Sequence, residues 1–387
     1  MNNMLIIHGG GPTAVLNASL YGAVAAAKAS PAVDHIYAAV GGTGAVFTED
    51  FLDLKTVPDG QLQLLPHTPG SAIGTSRYHL EPEDYAKMPA IFKKWNIGYL
   101  LMTGGNGSMD TCGKIAKACA DAGVDIRVGG IPKTMDNDLA VTDHAPGYGS
   151  AARYVAETVR EVGADVRSLP IHIVIIEVMG RNAGWVAAAS ALARKNPGDA
   201  PHLIYTPEVP FDEEEFLRDA KRLFDEKGGV VVVVSEGLVD KEGKNVVPPL
   251  FTVGRSVYYD DVSTYLRDLI VKRLGVKVRN EKPGLCGRAS VAFQSPVDRE
   301  EAILAGKTAA EAVLAGKSGF MVGFRRLDSE EYAVETMLIP VEEVMLDEKK
   351  MPRSYLNEQG NDVTEEFIRW AKPLIGGELP DFAHFNG

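Results

Sequence analysis

Short apolar runs closed by glycine-rich turns, each followed by a helical pattern, recur along the chain. Met4 to Ile7, Ile97 to Met102 and Ile126 to Ile131 are too short for helices and are bounded by turn residues, so they read as buried strands. Helical spacing follows the first run from about Ala14 to Lys28. It follows the second from near Ser108, a good N-cap residue. The composition starts again at about Pro146. From there Tyr148 to Glu161 predicts a helix, Ile171 to Val178 a buried strand, and Trp185 to Arg194 an Ala-rich helix. Leu203 to Thr206 and Val230 to Val234 predict further strands, Asp298 to Ala315 a helix and Tyr332 to Ile339 a last strand. Strands alternating with helices in this way predict an α/β fold built on mainly parallel sheets.

The turns carry the candidate chemistry. In α/β proteins ligands bind outside the carboxyl ends of the strands, and a helix N-terminus there offers free N–H groups and a positive dipole end to an anion. His8-Gly9-Gly10-Gly11-Pro12-Thr13 is one such strand-to-helix turn, although it is neither a dinucleotide fingerprint nor a Walker loop. Pro69 to Arg77 is a second glycine and hydroxyl loop, ending in an Arg that can fork onto phosphate oxygens. Thr103-Gly104-Gly105-Asn106-Gly107-Ser108 is a third. The fourth, Gly130 to Asp138, places Lys133 before Asp136 and Asp138, a cation and a base together. Asp136 can take a proton from an attacking hydroxyl, and Lys133 can neutralise a phosphoryl group in transfer. An Asx-turn at a domain edge would use the same residue types. Four phosphate-compatible loops on successive crossover units favour phosphoryl transfer. Farther along, Met179-Gly180-Arg181 and Ser235-Glu236-Gly237 also close strands, and residues 277–290, with Arg279, Lys282 and Arg288, form the most basic stretch near a predicted site.

At 387 residues the chain exceeds one ordinary core, so two domains are expected. A formal charge of −12 leaves no general basic face for nucleic acid or anionic membrane. No run reaches the about 18 apolar residues of a membrane span, and no basic leader precedes the first strand. Cys112, Cys119 and Cys286 lie in no metal-ligand spacing and suit a reducing, cytoplasmic setting.

In order along the chain, Gly9-Gly10-Gly11, Gly74-Thr75-Ser76-Arg77, Gly104 to Ser108, Pro132 to Asp138 and Met179-Gly180-Arg181 resemble the motifs of the phosphofructokinase A family. Lys350-Met351-Pro352-Arg353 resembles the branch that contains pyrophosphate-dependent enzymes. The resemblance implies two three-layer αβα domains with the active site between them. Residues 1–147 with about 288–335 would bind the phosphoryl donor, and 148–287 with about 336–387 the sugar. It implies a magnesium-dependent transfer from pyrophosphate or ATP to the 1-hydroxyl of fructose 6-phosphate, in a homodimer or homotetramer. Asp136 would be the base and Thr134 would contact the substrate, while Lys133, Asp138 and Arg181 would assist the reaction. Gly11, Arg77, Gly105, Asn106, Gly107 and Ser108 would hold the donor. Met179, Gly180, Arg181 and Glu236 would position the sugar, with Arg288 and Arg279 on its phosphate, the latter from a neighbouring subunit. Asn106, Asp136 and Asp138 would serve Mg2+.

Three departures from the family pattern bear on specificity. Gly107 stands where pyrophosphate users usually carry Asp, which leaves room for ATP, whereas Lys133 is the pyrophosphate-type residue. The overall resemblance and Lys133 together favour pyrophosphate. His172 and Leu285 replace residues that serve the sugar phosphate, which raises a different sugar or polyol as acceptor. Asn106 replaces a magnesium-associated Asp and brings no charge. A catalytically silent phosphate or nucleotide sensor on the same fold is the remaining alternative, although it needs no base at Asp136.

Overall fold

In the computed structural model, which describes residues 2–253, 256–345 and 347–383, the apolar runs become strands at or near their expected bounds. The strands are β1 (Asn2–His8), β2 (Val33–Ala39), β3 (Phe51–Asp53), β4 (Ile97–Gly104), β5 (Arg127–Pro132), β6 (Ile173–Val178) and β7 (Leu203–Tyr205). They continue with β8 (Val230–Ser235), β9 (Pro249–Val253), β10 (Ser256–Tyr259), β11 (Val278–Glu281), β12 (Phe320–Arg326) and β13 (Val334–Pro340). The chain divides into two compact units, Met1–Ser150 with Arg288–Lys349 and Ala151–Gly287 with Lys350–Gly387.

The first unit is built on a seven-stranded sheet of order β13-β12-β5-β4-β1-β2-β3. β1 pairs parallel with β2 and β4, and β4 with β5, so the chain crosses over and all these strands end at one edge. The alternation of β1 explains the three layers. Met4 and Ile6 pack in one cluster with Leu20 and Val24 of helix Leu16–Ala29 and with Ala305 and Ala309 of helix Pro296–Leu314. Leu5 and Ile7 pack on the other face with Met88 and Phe92 of helix Pro82–Lys94 and Met109 and Ile115 of helix Asn106–Asp121. A strand buried on both faces needs an unbroken apolar run, which is why the pattern was legible.

The second unit carries a four-stranded sheet of order β11-β6-β8-β7, all parallel. Val230 to Val234 are fully buried, and burial of a Val side chain stabilises by roughly 1.5 kcal/mol or more. Phe216 and Leu217 of helix Glu213–Lys227 and Leu266 and Ile270 of helix Val262–Leu274 cover one face. Asp212 caps the former by accepting from the N–H groups of Glu214 and Glu215, worth about 1 kcal/mol.

Several expectations need correction. Ser108 is not the cap of its helix: Gly105 is, and the helix starts at Asn106. Helix Tyr148–Ser168 runs past the expected end at Glu161 because its amphipathic pattern continues through Val166. The Ala-rich segment after Trp185 is α-helical only to Ala189 and tightens into a 3-10 turn, Ser190–Ala193. The loop 69–77 closes no strand of the sheet and joins it through an isolated bridge between Gly9 and Ser76. Residues 336–349 fall in the first unit, not in the second as expected, because β13 pairs antiparallel with β12 along its whole length. Residues 1, 254–255, 346 and 384–387, taken in by the expected domain ranges, lie outside the described residues.

Candidate active site

Three of the glycine loops meet at the carboxyl edge of the first unit's sheet, and the fourth is fastened to them. The N–H of Gly10 donates to Ser76 O at 2.9 Å, and Thr75 Oγ1 donates to Gly10 O at 2.8 Å. The Lys133 N–H donates to Gly104 O at 3.0 Å, which locks the third loop to the fourth. Ser108, on the first turn of its helix, is buried with its hydroxyl where a Cβ on Gly9 or Gly104 would stand.

Lys133 is the centre of this edge. Its ammonium donates to Gly11 O at 2.6 Å, and burial pushes it down to about 8 against the pull of Asp136 and Asp138. Arg288 and Arg77 push it the same way. The Arg288 guanidinium lies so close to Gly11 that a Cβ there would meet its Nη1 at 2.5 Å, so a larger residue would displace the guanidinium from this place. Burial and Arg77 hold Arg288 below its usual range. Three cations therefore crowd one place whose neighbouring acids are Asp136 and Asp138, an arrangement that a polyanion would relieve. The loops and Lys133 line a cleft of about 460 Å³ that continues along Tyr78, His79, Tyr85 and Lys114. That volume lies within the range of small-molecule sites.

The acidic turn is tightly specified. Thr134 Oγ1 accepts from the Asp136 N–H at 3.1 Å and donates to Asp138 Oδ1 at 2.7 Å. Thr134 is thus engaged by its own loop, and one Asp138 oxygen is occupied by it. Asn137 between the acids adopts φ +52°. Asn106 Nδ2 donates to Asp138 O at 3.4 Å, while its Oδ1 is buried with no partner among the described residues.

The second unit gathers Met179, Gly180, Arg181 and Glu236 at the carboxyl ends of β6 and β8. Gly180 has φ +125°, and a Cβ on it would meet Ala183 O at 2.6 Å, so this turn requires glycine. Ser235 Oγ donates to Gly180 O, and the Glu236 N–H donates to Val178 O at 3.0 Å. Burial raises the Glu236 carboxyl, partly offset by the nearby Arg181. Arg181 donates to Val257 O at 3.3 Å and lies 5.6 Å from the centre of the Tyr259 ring, so the β9–β10 hairpin holds it. Lys282, in the basic stretch near the predicted site, pairs with Glu177 at 3.0 Å and with Asp261.

Arg279 stands apart. It pairs in register with Val174, near the start of β6, five residues before Met179. At 3.3 Å per residue that is about 17 Å from the Arg181 end. His172 is buried beside it, and burial, followed by Arg279 and Lys277, lowers its pKa. Within one chain, then, Arg279 does not join Arg181 and Glu236.

The family model described as Phosphofructokinase matches residues 3–313. The chain belongs to the phosphofructokinase family. It is 37% identical to the pyrophosphate–fructose 6-phosphate 1-phosphotransferase of Rhodospirillum rubrum, over 98% of this chain and 95% of that one. It is 33% identical to a sulfofructose kinase of Alkalicoccus urumqiensis, over 96% and 94%. The crystal structure of the pyrophosphate-dependent phosphofructokinase of Marinobacter aquaeolei superposes with a TM-score of 0.90 at 34% identity, covering 99% of this chain and 94% of that one. The chain is accordingly a phosphotransferase of phosphofructokinase fold.

Several residues that hold this phosphofructokinase site were not read from the sequence. Asn17 clamps loop 68–72, donating to Thr68 O at 2.8 Å and accepting from the Ala72 N–H at 2.8 Å. Burial pushes His8 down to about 3, so it stays neutral, and its Nδ1 lies 2.8 Å from Ser71 Oγ, which donates to Gly74 O. Buried Asp298 accepts from the Gly147 N–H and from the N–H and hydroxyl of Ser150, which fastens the segment after the acidic turn. Lys349 donates to the carbonyls of Thr142 and Asp143 at 2.9 Å each. Single polar residues inside helices and loops give no periodic signal. Glu208 accepts from the Gly184 and Met351 N–H groups and so supports the Arg181 turn.

Proposed function

We propose that the chain is a 6-phosphofructokinase that transfers a phosphoryl group from pyrophosphate to the 1-hydroxyl of fructose 6-phosphate. The observation that carries this reading is the gathering of cations at one sheet edge: Lys133 donates to Gly11 O, the Arg288 guanidinium lies against Gly11, and Arg77 lines the same cleft as Lys133, with Asp136 acting on both Lys133 and Arg288. Asp136 accepts the proton of the attacking hydroxyl, and the three cations neutralise the donor oxygens as charge shifts to the leaving phosphate. The glycine loops and the N-terminus of helix Asn106–Asp121 add backbone N–H groups to the same anion. Asp136, Asp138 and Asn106 Oδ1 suit Mg2+, which takes one or two carboxylates and shares the donor's phosphates. When bound, it supplies further charge neutralisation. Met179, Gly180, Arg181 and Glu236 position the sugar. We assign Arg279 to the sugar phosphate of a neighbouring subunit, in a homodimer or homotetramer, since its own sheet holds it away from Arg181. The cysteines form no disulfide among the described residues, as suits a cytoplasmic enzyme of sugar metabolism.

A specific observation favours ATP as an alternative donor. Gly107 is exposed and a Cβ there would meet nothing within 4 Å, while the cleft runs on past it to Tyr85 and Lys114. His172 and exposed Leu285 favour an acceptor other than fructose 6-phosphate, and the likeness to a sulfofructose kinase supports the same reading. Initial rates with fructose 6-phosphate and Mg2+, offering pyrophosphate and ATP in parallel, test these readings. Turnover with pyrophosphate alone is expected. Turnover with ATP alone reverses the donor, and silence with both donors moves the acceptor.

A further inference from the structure

The turn that carries Asp136 and Asp138 is bent the unfavourable way. Asn137 sits at φ +52°, a left-handed conformation that costs about 1–3 kcal/mol and persists only where the surroundings over-determine it. Asn137 is fully buried, and its Oδ1 accepts from the Ala145 N–H at 3.2 Å and from Lys349 Nζ at 3.3 Å. The same ammonium donates to Thr142 O and Asp143 O, so it ties one acceptor on the turn to two on the segment that follows it. The Lys349 backbone N–H donates to Asp138 O at 2.8 Å, and its neighbour Glu348 bridges Leu139. One residue thus holds the turn from its side chain and from its backbone, and joins residue 138 to residues 142 and 143.

We propose that Lys349 is a positioning residue for phosphoryl transfer: it fixes the Asn137 turn and thereby the direction in which Asp136 meets the acceptor hydroxyl. This rests on the reading of Asp136 as the base. Lys349 itself spends its donors on protein oxygens, so it acts through the turn rather than on the substrate. A Met of similar length would fill the space and leave three acceptors without their donor, which frees the turn to relax.

The test uses the full chain carrying Lys349→Met or Lys349→Arg, with amide hydrogen exchange over residues 136–145 beside initial rates. In the Met protein kcat is expected to fall about 10–100-fold with both KM values within about threefold, as for loss of a supporting contact. Exchange over 136–145 should rise while β1 and β4 stay protected. The Arg protein, which keeps charge and donors, should recover at least part of both readouts. Wild-type kcat and exchange in the Met protein would overturn the proposal. So would a raised KM with unchanged exchange, which would put Lys349 on the substrate, or an Arg protein no better than Met. Should the Met protein fail to fold, Lys349→Gln is read against the same outcomes. A wild-type chain that turns over neither donor defeats the functional reading alone, because the exchange comparison still decides whether Lys349 holds the turn.

Discussion

The two units treat the same architectural device differently. In the first, parallel pairing brings β1, β4 and β5 to one edge, so residues more than a hundred positions apart, Gly11 and Lys133 among them, touch directly. In the second, the parallel pairing of β6 and β11 does the reverse for Arg279. It sets that residue beside Val174, at the amino end of the strand whose carboxyl end carries Arg181. The first edge is complete in its charges, whereas the second has its cations at both ends. A parallel sheet collects chemistry only from residues that follow its strands, and a basic residue at the start of one is directed elsewhere.

The largest way to break this contrast is on the complete edge. Asp136→Asn should lower kcat about 10³-fold while leaving donor binding in place, as expected for loss of a general base. Lys133→Met should cost about 10²-fold in kcat, the effect of removing one preorganised group at developing charge. The second unit is tested by mixing. Arg279→Leu and Asp136→Asn chains, each inactive alone, should regain activity when co-assembled if Arg279 serves a neighbour's site, as rates of refolded mixtures would reveal. No recovery at any ratio would return Arg279 to a structural role. Asp298→Ala should lower the unfolding free energy by about 3 kcal/mol in a denaturant titration, because buried N–H groups lose a charged acceptor.

The smallest effect is one of pH. Lys133 is held down at about 8 by burial, so its charged fraction falls as pH rises through that value. The kcat/KM for the donor reports the free enzyme and should therefore decline above about pH 8. In Lys133→Arg, whose guanidinium stays charged beyond pH 12 or so, the decline should vanish.

The loops of the first unit were legible because buried strands give unbroken apolar runs and glycine marks the turns between them. What supports those loops was not. The 69–77 loop was credited with a strand, when Asn17 and the Gly9–Ser76 bridge hold it. β12 escaped notice because glycine and two arginines interrupt its pattern, and with it went the reason residues 336–349 belong to the first unit. Arg288, which the family resemblance places on the sugar phosphate, lies against Gly11 at the first unit's sheet edge, a neighbour that spacing does not reveal. The ion pairs of Lys282 with Glu177 and Asp261 are invisible in the basic stretch 277–290, because both partners are far away in sequence. Spacing shows which residues can carry chemistry, but the pairing of strands decides which of them meet.

The most direct measurement is the initial rate with fructose 6-phosphate, Mg2+ and pyrophosphate for the wild-type and Asp136→Asn proteins, beside the shift in unfolding temperature that pyrophosphate causes in each. Turnover by the wild-type chain, its loss in the variant and an equal pyrophosphate-dependent stabilisation of both are the expected results. A variant that turns over at the wild-type rate would contradict the account, since Asp136 would then not be the base.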